Sequence, residues 1–311
     1  MSESEPQSAP VADAKSGNWL DRHAPAWLKP YGRLARWDRP IGFYLLFWPC
    51  AWGLGLAAVA NPARGFDWWG AVLMFIGAIL MRGAGCTFND IVDRDIDMRV
   101  ARTRLRPIPS GAVTARDALA FLVAQALLGS VVLFQFNRFT VWAGVASLVL
   151  VAVYPFMKRV TWWPQAFLGL AFSYGALLGW TSQTGSLSWP PILLYAGTIL
   201  WVIGYDTIYA LQDVEDDALV GVKSTARLFG DHVKPAVATL YAGAYMLWMA
   251  AGVLAGAGIV FATLSLLAAA MLAWQVWTVD AAAPDNPRFR FDSNKYVGII
   301  LALALLADWV W

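Results

Sequence analysis

The chain has 311 residues, of which 59% are hydrophobic and only 14% are charged. Soluble domains carry about 25% charged residues, so the composition excludes an ordinary soluble fold and predicts a membrane protein. The net charge of +2 gives no support to nucleic-acid binding, and two cysteines are too few for a disulfide framework.

Residues 1–30 lack the apolar core of a signal peptide and the arginine-rich bias of a transit peptide. We therefore expect a disordered cytoplasmic tail there, followed by a membrane domain over residues 31–311. Apolar stretches near the roughly 20 residues that span a bilayer predict nine transmembrane helices and an all-α, polytopic fold. They lie at 41–60, 67–88, 117–136, 139–157, 163–182, 189–212, 235–255, 257–279 and 294–311.

The distribution of basic residues supports this helix count. If the N-terminus is cytoplasmic, nearly all of the 23 Lys and Arg residues fall on the cytoplasmic side. Arg64 and Arg138 fall on the other side, and Arg82 lies within a helix. The positive-inside rule expects this one-sidedness when the count is correct. Because the N-terminus is not transit-like, we expect a multi-pass protein of a bacterial cell inner membrane, with its longest polar loops in the cytoplasm.

Two predicted helices end in aspartates at helical spacing. The first acidic segment follows the second helix and has offsets of 0, 3 and 7: Asp90, Asp93 and Asp97, with Asn89 one turn before Asp93. The second acidic segment lies at the end of the sixth helix and has offsets of 0, 7 and 11: Asp206, Asp213 and Asp217. Each spacing places its members on one face of a helix. Since the chain crosses the membrane an even number of times between them, we expect both stripes to face one cavity from the same side.

Clustered carboxylates repel one another, by about 4 kcal/mol for a pair 4 Å apart at an effective dielectric constant of 20. A divalent cation relieves this repulsion, and hard oxygen ligands without His or Cys favour magnesium or calcium. Basic residues predicted on the same side are able to bind diphosphate oxygens directly. They are Arg102, Arg104, Arg106, Lys158, Arg159, Lys223 and Arg227.

A purely structural role competes with a functional one for some of these residues. Asp206 lies inside an apolar segment, where an ionisable residue is functional by default. A buried pair between Asp206 and Arg82 would account for both residues equally. Arg36, at the entrance of the first helix, is compatible with a membrane anchor as well as with a substrate role.

At these residues the chain resembles the UbiA superfamily of intramembrane prenyltransferases. Its NDxxDxxxD motif appears as Asn89, Asp90, Asp93 and Asp97, and its DxxxD motif as Asp213 and Asp217. The strings YPFMKR (154–159) and GVKSTARLFG (221–230) favour the 4-hydroxybenzoate branch of that superfamily. The resemblance spans about residues 30–311, and its one departure, at Val214 and Glu215, falls where the second motif varies.

The resemblance implies nine helices around a central cavity, capped by cytoplasmic loops that carry the acidic motifs. It maps Mg²⁺ ligands onto Asn89, Asp90, Asp93, Asp97, Asp213 and Asp217. It maps diphosphate binding onto Arg102, Lys158 and Arg159. Lys223 is predicted on the same side of the membrane, and we expect it to bind the diphosphate as well. Arg36 corresponds to a family position near the aromatic acid.

The expected reaction is Mg²⁺-dependent transfer of a polyprenyl group from polyprenyl diphosphate to C3 of 4-hydroxybenzoate in ubiquinone biosynthesis, within membrane lipid. Asp93 and Asp213 are the expected catalytic metal ligands, and Asp206 is expected to orient the acceptor or to take up a proton. Two alternatives stay open: a UbiA-type enzyme with another aromatic acceptor, and an ion-coupled membrane transporter in which intramembrane acids mark a path.

Overall fold

The structure is a computed structural model that describes residues 17–100, 103–283 and 285–311, without the side chain of Val220. Every regular element in these ranges is a helix. The α-helices are α1 (Trp19–His23), α2 (Lys29–Leu34), α3 (Ile41–Ala60), α4 (Trp68–Asp97), α5 (Ala115–Leu133), α6 (Arg138–Val160), α7 (Pro164–Phe172), α8 (Gly175–Thr184), α9 (Trp189–Ala210), α10 (Val214–Val220), α11 (Thr225–Phe229), α12 (Val233–Ala255), α13 (Ile259–Thr278), α14 (Asn286–Asp292) and α15 (Asn294–Val310). Short 3-10 helices cover Leu211–Asp213 and Gly230–His232.

The predicted all-α, multi-pass fold is confirmed. In the described ranges, eight helical stretches are long and apolar enough to cross a membrane by length and composition. The fifth predicted helix, 163–182, is instead the pair α7 and α8, which are separated at Ser173 and Tyr174. The count of nine helices and the cytoplasmic side of the loops therefore stay predictions.

The break between the seventh and eighth predicted helices falls where the sequence placed it. Helix α12 ends at Ala255, and Gly256 caps it with a φ of 91°. This left-handed conformation is strained for residues with a Cβ but open to glycine. The amide of Ala257 then donates to the carbonyl of Gly252 at 2.9 Å, which closes the helix end before α13 begins.

The chain divides into two compact units. The first unit contains the described residues up to Phe43 together with Ile76–Val132. Its core is a cluster of buried apolar side chains on α2, on α5 and on the loop before α5. The fully buried members are Leu34, Val113 and Ala118, and Tyr31, Ile91, Ile108 and Phe121 pack around them.

The predicted tail over residues 1–30 is described only from residue 17 onward. There, α1 is a short helix whose Leu20 is fully buried. Asp21 accepts from the guanidinium of Arg33 at 2.9 Å, and its carbonyl accepts from Lys29 at 2.9 Å. Residues 17–28 are thus folded against α2. The division of the chain at residue 30 stays a prediction.

The second unit, Tyr44–Phe75 and Leu133–Trp311, is centred on buried tryptophans. Trp52 of α3, Trp201 of α9 and Trp248 of α12 lie with ring centroids 5.1 to 5.9 Å apart. Their indole groups also find polar partners, since Trp52 donates to the Gly298 carbonyl at 2.9 Å and Trp201 to Asn294 at 2.8 Å. Aromatic burial of this kind fixes α9 between its neighbours. Helix α9 carries Asp206 and leads into the turn and helix that carry Asp213 and Asp217.

Helices α3 and α8 approach closely through glycines. A Cβ added at Gly179 would collide with the carbonyl oxygen of Cys50 and would lie 3.0 Å from the Cα of Gly53. We expect Gly179→Ala to destabilise the protein by about 1–3 kcal/mol or more, because backbone atoms cannot yield as side chains do. The free energy of unfolding in detergent measures this.

The matched control is Gly85→Ala in α4, where an added Cβ meets no atom within 4 Å. Alanine there is expected to be neutral or to stabilise by up to about 1 kcal/mol, since it restricts the unfolded chain. A Gly179→Ala protein as stable as the Gly85→Ala protein would contradict the close helix contact.

Candidate functional site

The first acidic segment lies on one buried face of a single helix. Helix α4 runs without a break to Asp97, and Asp90, Asp93 and Asp97 are each at most 5% exposed. Asp95, on the opposite face, has a side chain that is 71% exposed. The predicted alignment is therefore confirmed by burial, and Asn89 is half-buried one turn before Asp93.

Arg36 binds directly to this buried face. Its backbone φ is 60°, an uncommon value for a residue other than glycine. One guanidinium nitrogen donates to the carbonyl of Arg33 at 2.8 Å, and the other donates to Oδ1 of Asp90 at 2.7 Å. Burial lowers the pKa of the Arg36 guanidinium, but the attraction of Asp90, Cys86 and Asp38 together outweighs burial, so the pKa is raised above its usual value. Arg36 is thus a buried counterion rather than an exposed membrane anchor.

A second arginine reaches the same carboxylates from the loop after α4. The Thr103 hydroxyl donates to the carbonyl of Asp97 at 2.9 Å, and the amide of Arg106 donates to the carbonyl of Thr103 at 2.9 Å. These turns return the chain toward α4. The Nη1 atom of Arg106 then lies 2.8 Å from Oδ2 of Asp97 and 3.4 Å from Oδ1 of Asp90.

From the sequence, Arg106 is only one of several basic residues that are able to bind a diphosphate. The sequence does not predict the contact of Arg106 with Asp97 and Asp90, because the intervening residues form a loop and helical spacing does not apply to a loop. The signal that would have found it is the need of buried carboxylates for counterions. Arg102, in contrast, lies outside the described residues.

Among the residues that the structure describes, no group of three or more His, Cys, Asp or Glu side chains is gathered as a metal site. In the first segment, Asp90 and Asp97 bind arginines instead. Oδ2 of Asp90 is buried without a hydrogen-bond partner, so one carboxylate oxygen still lacks the partner that burial ordinarily requires.

The second acidic segment departs from its prediction as one regular helix. Helix α9 ends at Ala210, a 3-10 turn covers Leu211–Asp213, and α10 follows. A 3-10 helix has 3.0 residues per turn instead of 3.6, so three residues rotate the following chain by about 60°. The regular spacing behind the predicted alignment of Asp206 with Asp213 and Asp217 is therefore interrupted, and their place on one face stays a prediction. All three aspartates are half-buried.

Three basic residues of the second unit lie at the C-terminal end of α6. Lys158 lies in the last turn of α6, half-buried, and Arg159 is exposed. The amide of Lys223 donates to the carbonyl of Lys158 at 2.9 Å, and the ammonium of Lys223 lies 3.1 Å from the carbonyl of Val160. A cation at a helix C-terminus is favourable because unpaired carbonyls carry partial negative charge there. The structure therefore brings Lys158 and Lys223 together.

A buried hydrogen-bond chain holds the loop that carries Lys223. The hydroxyls of Thr207 and Thr225 lie 2.6 Å apart, and the amide of Thr225 donates to Oε1 of Gln165 at 3.0 Å. All three side chains are buried. Nearby, the guanidinium of Arg227 donates to the carbonyl of Asp217 at 3.3 Å. The loop after α10 is thus tied to α7, to α9 and to the second acidic segment.

Removing this tie is expected to be costly. Thr207→Val deletes a buried hydroxyl and leaves that of Thr225 without it, so we expect a loss of about 1–3 kcal/mol in the free energy of unfolding. Thr239→Val is the control. The hydroxyls of Thr207 and Thr239 each donate to a carbonyl four residues back, of Ile203 and of Pro235, but Thr239 is exposed. Equal stabilities of the two variants would show that the chain of bonds does not anchor the loop.

The pairing of Arg82 with Asp206 stays a prediction. Both residues take part in interactions, and Asp206 lies near the C-terminal end of α9.

Comparison with known proteins gives a consistent result. The chain matches the UbiA prenyltransferase family over residues 46–303. It is 44% identical to 4-hydroxybenzoate polyprenyltransferase, mitochondrial, of Arabidopsis thaliana, over 92% of this chain and 70% of the plant protein. It is 46% identical to the Rattus norvegicus protein of the same name, over 91% and 75%. Its identity with 4-hydroxybenzoate geranyltransferase 1 of Lithospermum erythrorhizon is 40%, over 94% of both chains.

Solved structures show the same fold. The apo structure of a UbiA homolog from Aeropyrum pernix K1 matches with a TM-score of 0.72 and 27% identity, over 85% of this chain and 97% of that one. A UbiA homolog from Archaeoglobus fulgidus, bound to GPP and Mg²⁺, matches with a TM-score of 0.67 and 20% identity, over 89% and 99%.

The relatives also correct one prediction and establish the family. The expected bacterial cell inner membrane is wrong, because relatives from plants, insects and mammals are named mitochondrial. That expectation rested on the composition of residues 1–30, and the membrane-spanning helices themselves carry no compartment signal. The multi-pass part of the prediction is confirmed. Because the family match covers most of the chain, this protein belongs to the UbiA prenyltransferase family.

Proposed function

We propose that this protein transfers a polyprenyl group from polyprenyl diphosphate to C3 of 4-hydroxybenzoate, as a step of ubiquinone biosynthesis. The observation that carries the proposal is the identity of 44% and 46%, over more than nine-tenths of the chain, with relatives named 4-hydroxybenzoate polyprenyltransferase. The eight long apolar helices in the described part of the chain suit a reaction on a prenyl chain that is itself dissolved in lipid.

The residues of the first acidic segment fit a divalent cation. Three buried carboxylates on one face offer hard oxygen ligands, and Oδ2 of Asp90 is buried without a partner. Magnesium prefers such ligands and completes its shell with phosphate oxygens and water. We assign the metal ligands to both acidic segments: Asn89, Asp90, Asp93, Asp97, Asp213 and Asp217. When bound, Mg²⁺ neutralises the charge that develops on the departing diphosphate.

The cations of this chain hold the diphosphate in this proposal. Lys158 and Lys223 meet at the end of α6, with Arg159 beside them, and we assign all three to diphosphate oxygens. Arg102 is assigned to the same role from the sequence. Positive charge fixed around the leaving group favours cleavage of its bond to the allylic carbon, because the charge is placed where the transition state develops it.

Asp206 and Arg36 are assigned to the aromatic acceptor. Asp206, half-buried in the last turn of α9, orients the acceptor or takes up the proton that leaves the ring carbon during substitution. Arg36 is assigned to the acceptor carboxylate. Its bond to Asp90 would link acceptor binding to the first acidic segment.

Two alternatives are weighed against this proposal. An ion-coupled transporter is disfavoured, because the family to which the chain belongs is one of prenyltransferases. A prenyltransferase with another aromatic acceptor is the stronger rival, since acceptor choice depends on pocket shape. Sequence identity does not by itself distinguish one aromatic acceptor from another, so the acceptor is measured directly.

An acceptor panel decides between these versions. Membranes that contain the protein are incubated with one prenyl diphosphate, Mg²⁺ and, separately, 4-hydroxybenzoate, a dihydroxynaphthoate or homogentisate. Prenylation of 4-hydroxybenzoate alone is expected. Product from one of the other acceptors, and none from 4-hydroxybenzoate, would overturn the proposed substrate while leaving prenyl transfer intact.

A further inference from the structure

The two arginines on the first acidic segment are held in different ways. Arg36 donates to the backbone carbonyls of Arg33 and Leu34 as well as to Asp90. Arg106, within the described part of the chain, makes its side-chain hydrogen bonds only to Asp90 and Asp97, and its Nε is buried without a partner. The backbone therefore fixes the Arg36 guanidinium, whereas carboxylates alone hold that of Arg106.

Arg106 occupies oxygens that a divalent cation would need. One nitrogen, Nη1, lies between Oδ2 of Asp97 and Oδ1 of Asp90, two carboxylates that are two helical turns apart. A metal ion bound to the same oxygens would place two like charges in one small, largely buried space. Like charges repel strongly where water does not screen them, so the guanidinium and the metal compete for Asp97 and Asp90.

We propose that Arg106 is an internal counterion that occupies the metal-ligand carboxylates before a divalent cation binds and leaves them when it does. The inference rests on the proposed function, because it assumes that Asp90 and Asp97 are metal ligands. It gives the buried Asp97 carboxylate a positively charged partner before the metal binds. An unpaired buried charge is strongly destabilising, and Arg106 supplies the partner.

The loop geometry allows the exchange without refolding. The base of the loop is tied to α4 by the Thr103 hydroxyl, which donates to the carbonyl of Asp97. Two hydrogen bonds hold the backbone at Arg106. The amide of Arg106 donates to the carbonyl of Thr103, and the amide of Ser110 donates to the carbonyl of Arg106 at 3.0 Å. Rotation of one long side chain therefore frees Asp97 and leaves Asp90 with Arg36 alone, while the loop stays in place.

The test measures metal binding without any prenyl diphosphate. Purified protein in detergent is titrated with Mn²⁺, and free Mn²⁺ is followed by electron paramagnetic resonance. Arg106→Gln removes the competing charge and is expected to bind Mn²⁺ about tenfold more tightly than the wild type. Its metal-free unfolding temperature is expected to fall, and saturating Mn²⁺ is expected to restore it, because the metal replaces the lost counterion.

Arg99→Gln is the matched control. Arg99 lies two residues beyond Asp97 but is exposed, so its removal changes the net charge equally while water and salt screen the effect. We expect its Mn²⁺ affinity to change by less than about threefold. Arg106→Lys keeps a cation on a less well matched side chain, and we expect it to bind Mn²⁺ more tightly than the wild type but less tightly than Arg106→Gln.

The outcomes separate the inference from the proposed function. Equal gains in Mn²⁺ affinity for Arg106→Gln and Arg99→Gln, or weaker binding by Arg106→Gln, would overturn the counterion role while the metal role stands. Should Arg106→Gln fail to fold, an Arg106→Lys affinity equal to that of the wild type would overturn it. If neither the wild type nor any variant binds Mn²⁺, the proposed metal role fails and the inference with it.

Discussion

Replacing Asp93 with asparagine is expected to lower the rate of prenyl transfer at least about 100-fold, as the loss of one electrostatic group at a reacting centre typically does. Asp93 is buried on the acidic face of α4, where we propose that it binds metal. Asparagine keeps the size of the side chain and removes its charge. The rate is measured in membranes with 4-hydroxybenzoate, a prenyl diphosphate and Mg²⁺, at matched amounts of protein.

Asp95→Asn is the control on the same helix, because the Asp95 carboxylate is exposed on the opposite face. Its rate is expected to stay near that of the wild type. In the second segment, Asp213→Asn and the exposed Asp216→Asn form an equivalent pair. Equal rates within both pairs would mean that the two acidic segments have no role in the reaction.

The second large effect is expected on stability. Arg36→Met removes a buried guanidinium that lies 2.7 Å from Oδ1 of Asp90 and leaves that carboxylate with Arg106 alone. Breaking a buried pair typically costs about 3–5 kcal/mol. Arginine and methionine both carry a Cβ, so the steric cost of the positive φ is the same in both proteins. The comparison therefore isolates the lost charge. Chemical unfolding in detergent micelles measures the free energy.

The exposed ion pair on the same helix is the control. Arg94 and Asp95 lie 3.6 Å apart, and both side chains are more than half exposed. Arg94→Met is expected to cost less than about 1 kcal/mol, because water screens the pair. A similar loss in both variants would show that the Arg36–Asp90 pair contributes no more than an ordinary surface contact.

The spanning helices were predictable because each is a long apolar run. The first prediction, 41–60, matches α3 at both ends, and the break after Ala255 follows from Gly256. The alignment of Asp90 with Asp97 needed only the helical period, since α4 is regular up to its last residue. In these cases local sequence and tertiary structure agree.

The sequence did not predict local departures from a regular helix. Hydropathy measures apolar content, so it merged α7 and α8 across Ser173 and did not detect the 3-10 turn before Asp213. The pairing of Arg106 with Asp97 depends on how a loop returns to a helix, and no periodicity describes that. Burial of several like charges was the available clue that a cation had to lie nearby.

The central claim is that this chain uses its acidic segments and a divalent cation to prenylate 4-hydroxybenzoate. Mass spectrometry of the product formed from 4-hydroxybenzoate and geranyl diphosphate, with Mg²⁺ or with a chelator, tests it most directly. The account predicts a ring-prenylated hydroxybenzoate with Mg²⁺, none with the chelator, and recovery when Mg²⁺ is added back. Undiminished product in the chelator, or unreacted 4-hydroxybenzoate in the presence of Mg²⁺, would contradict it.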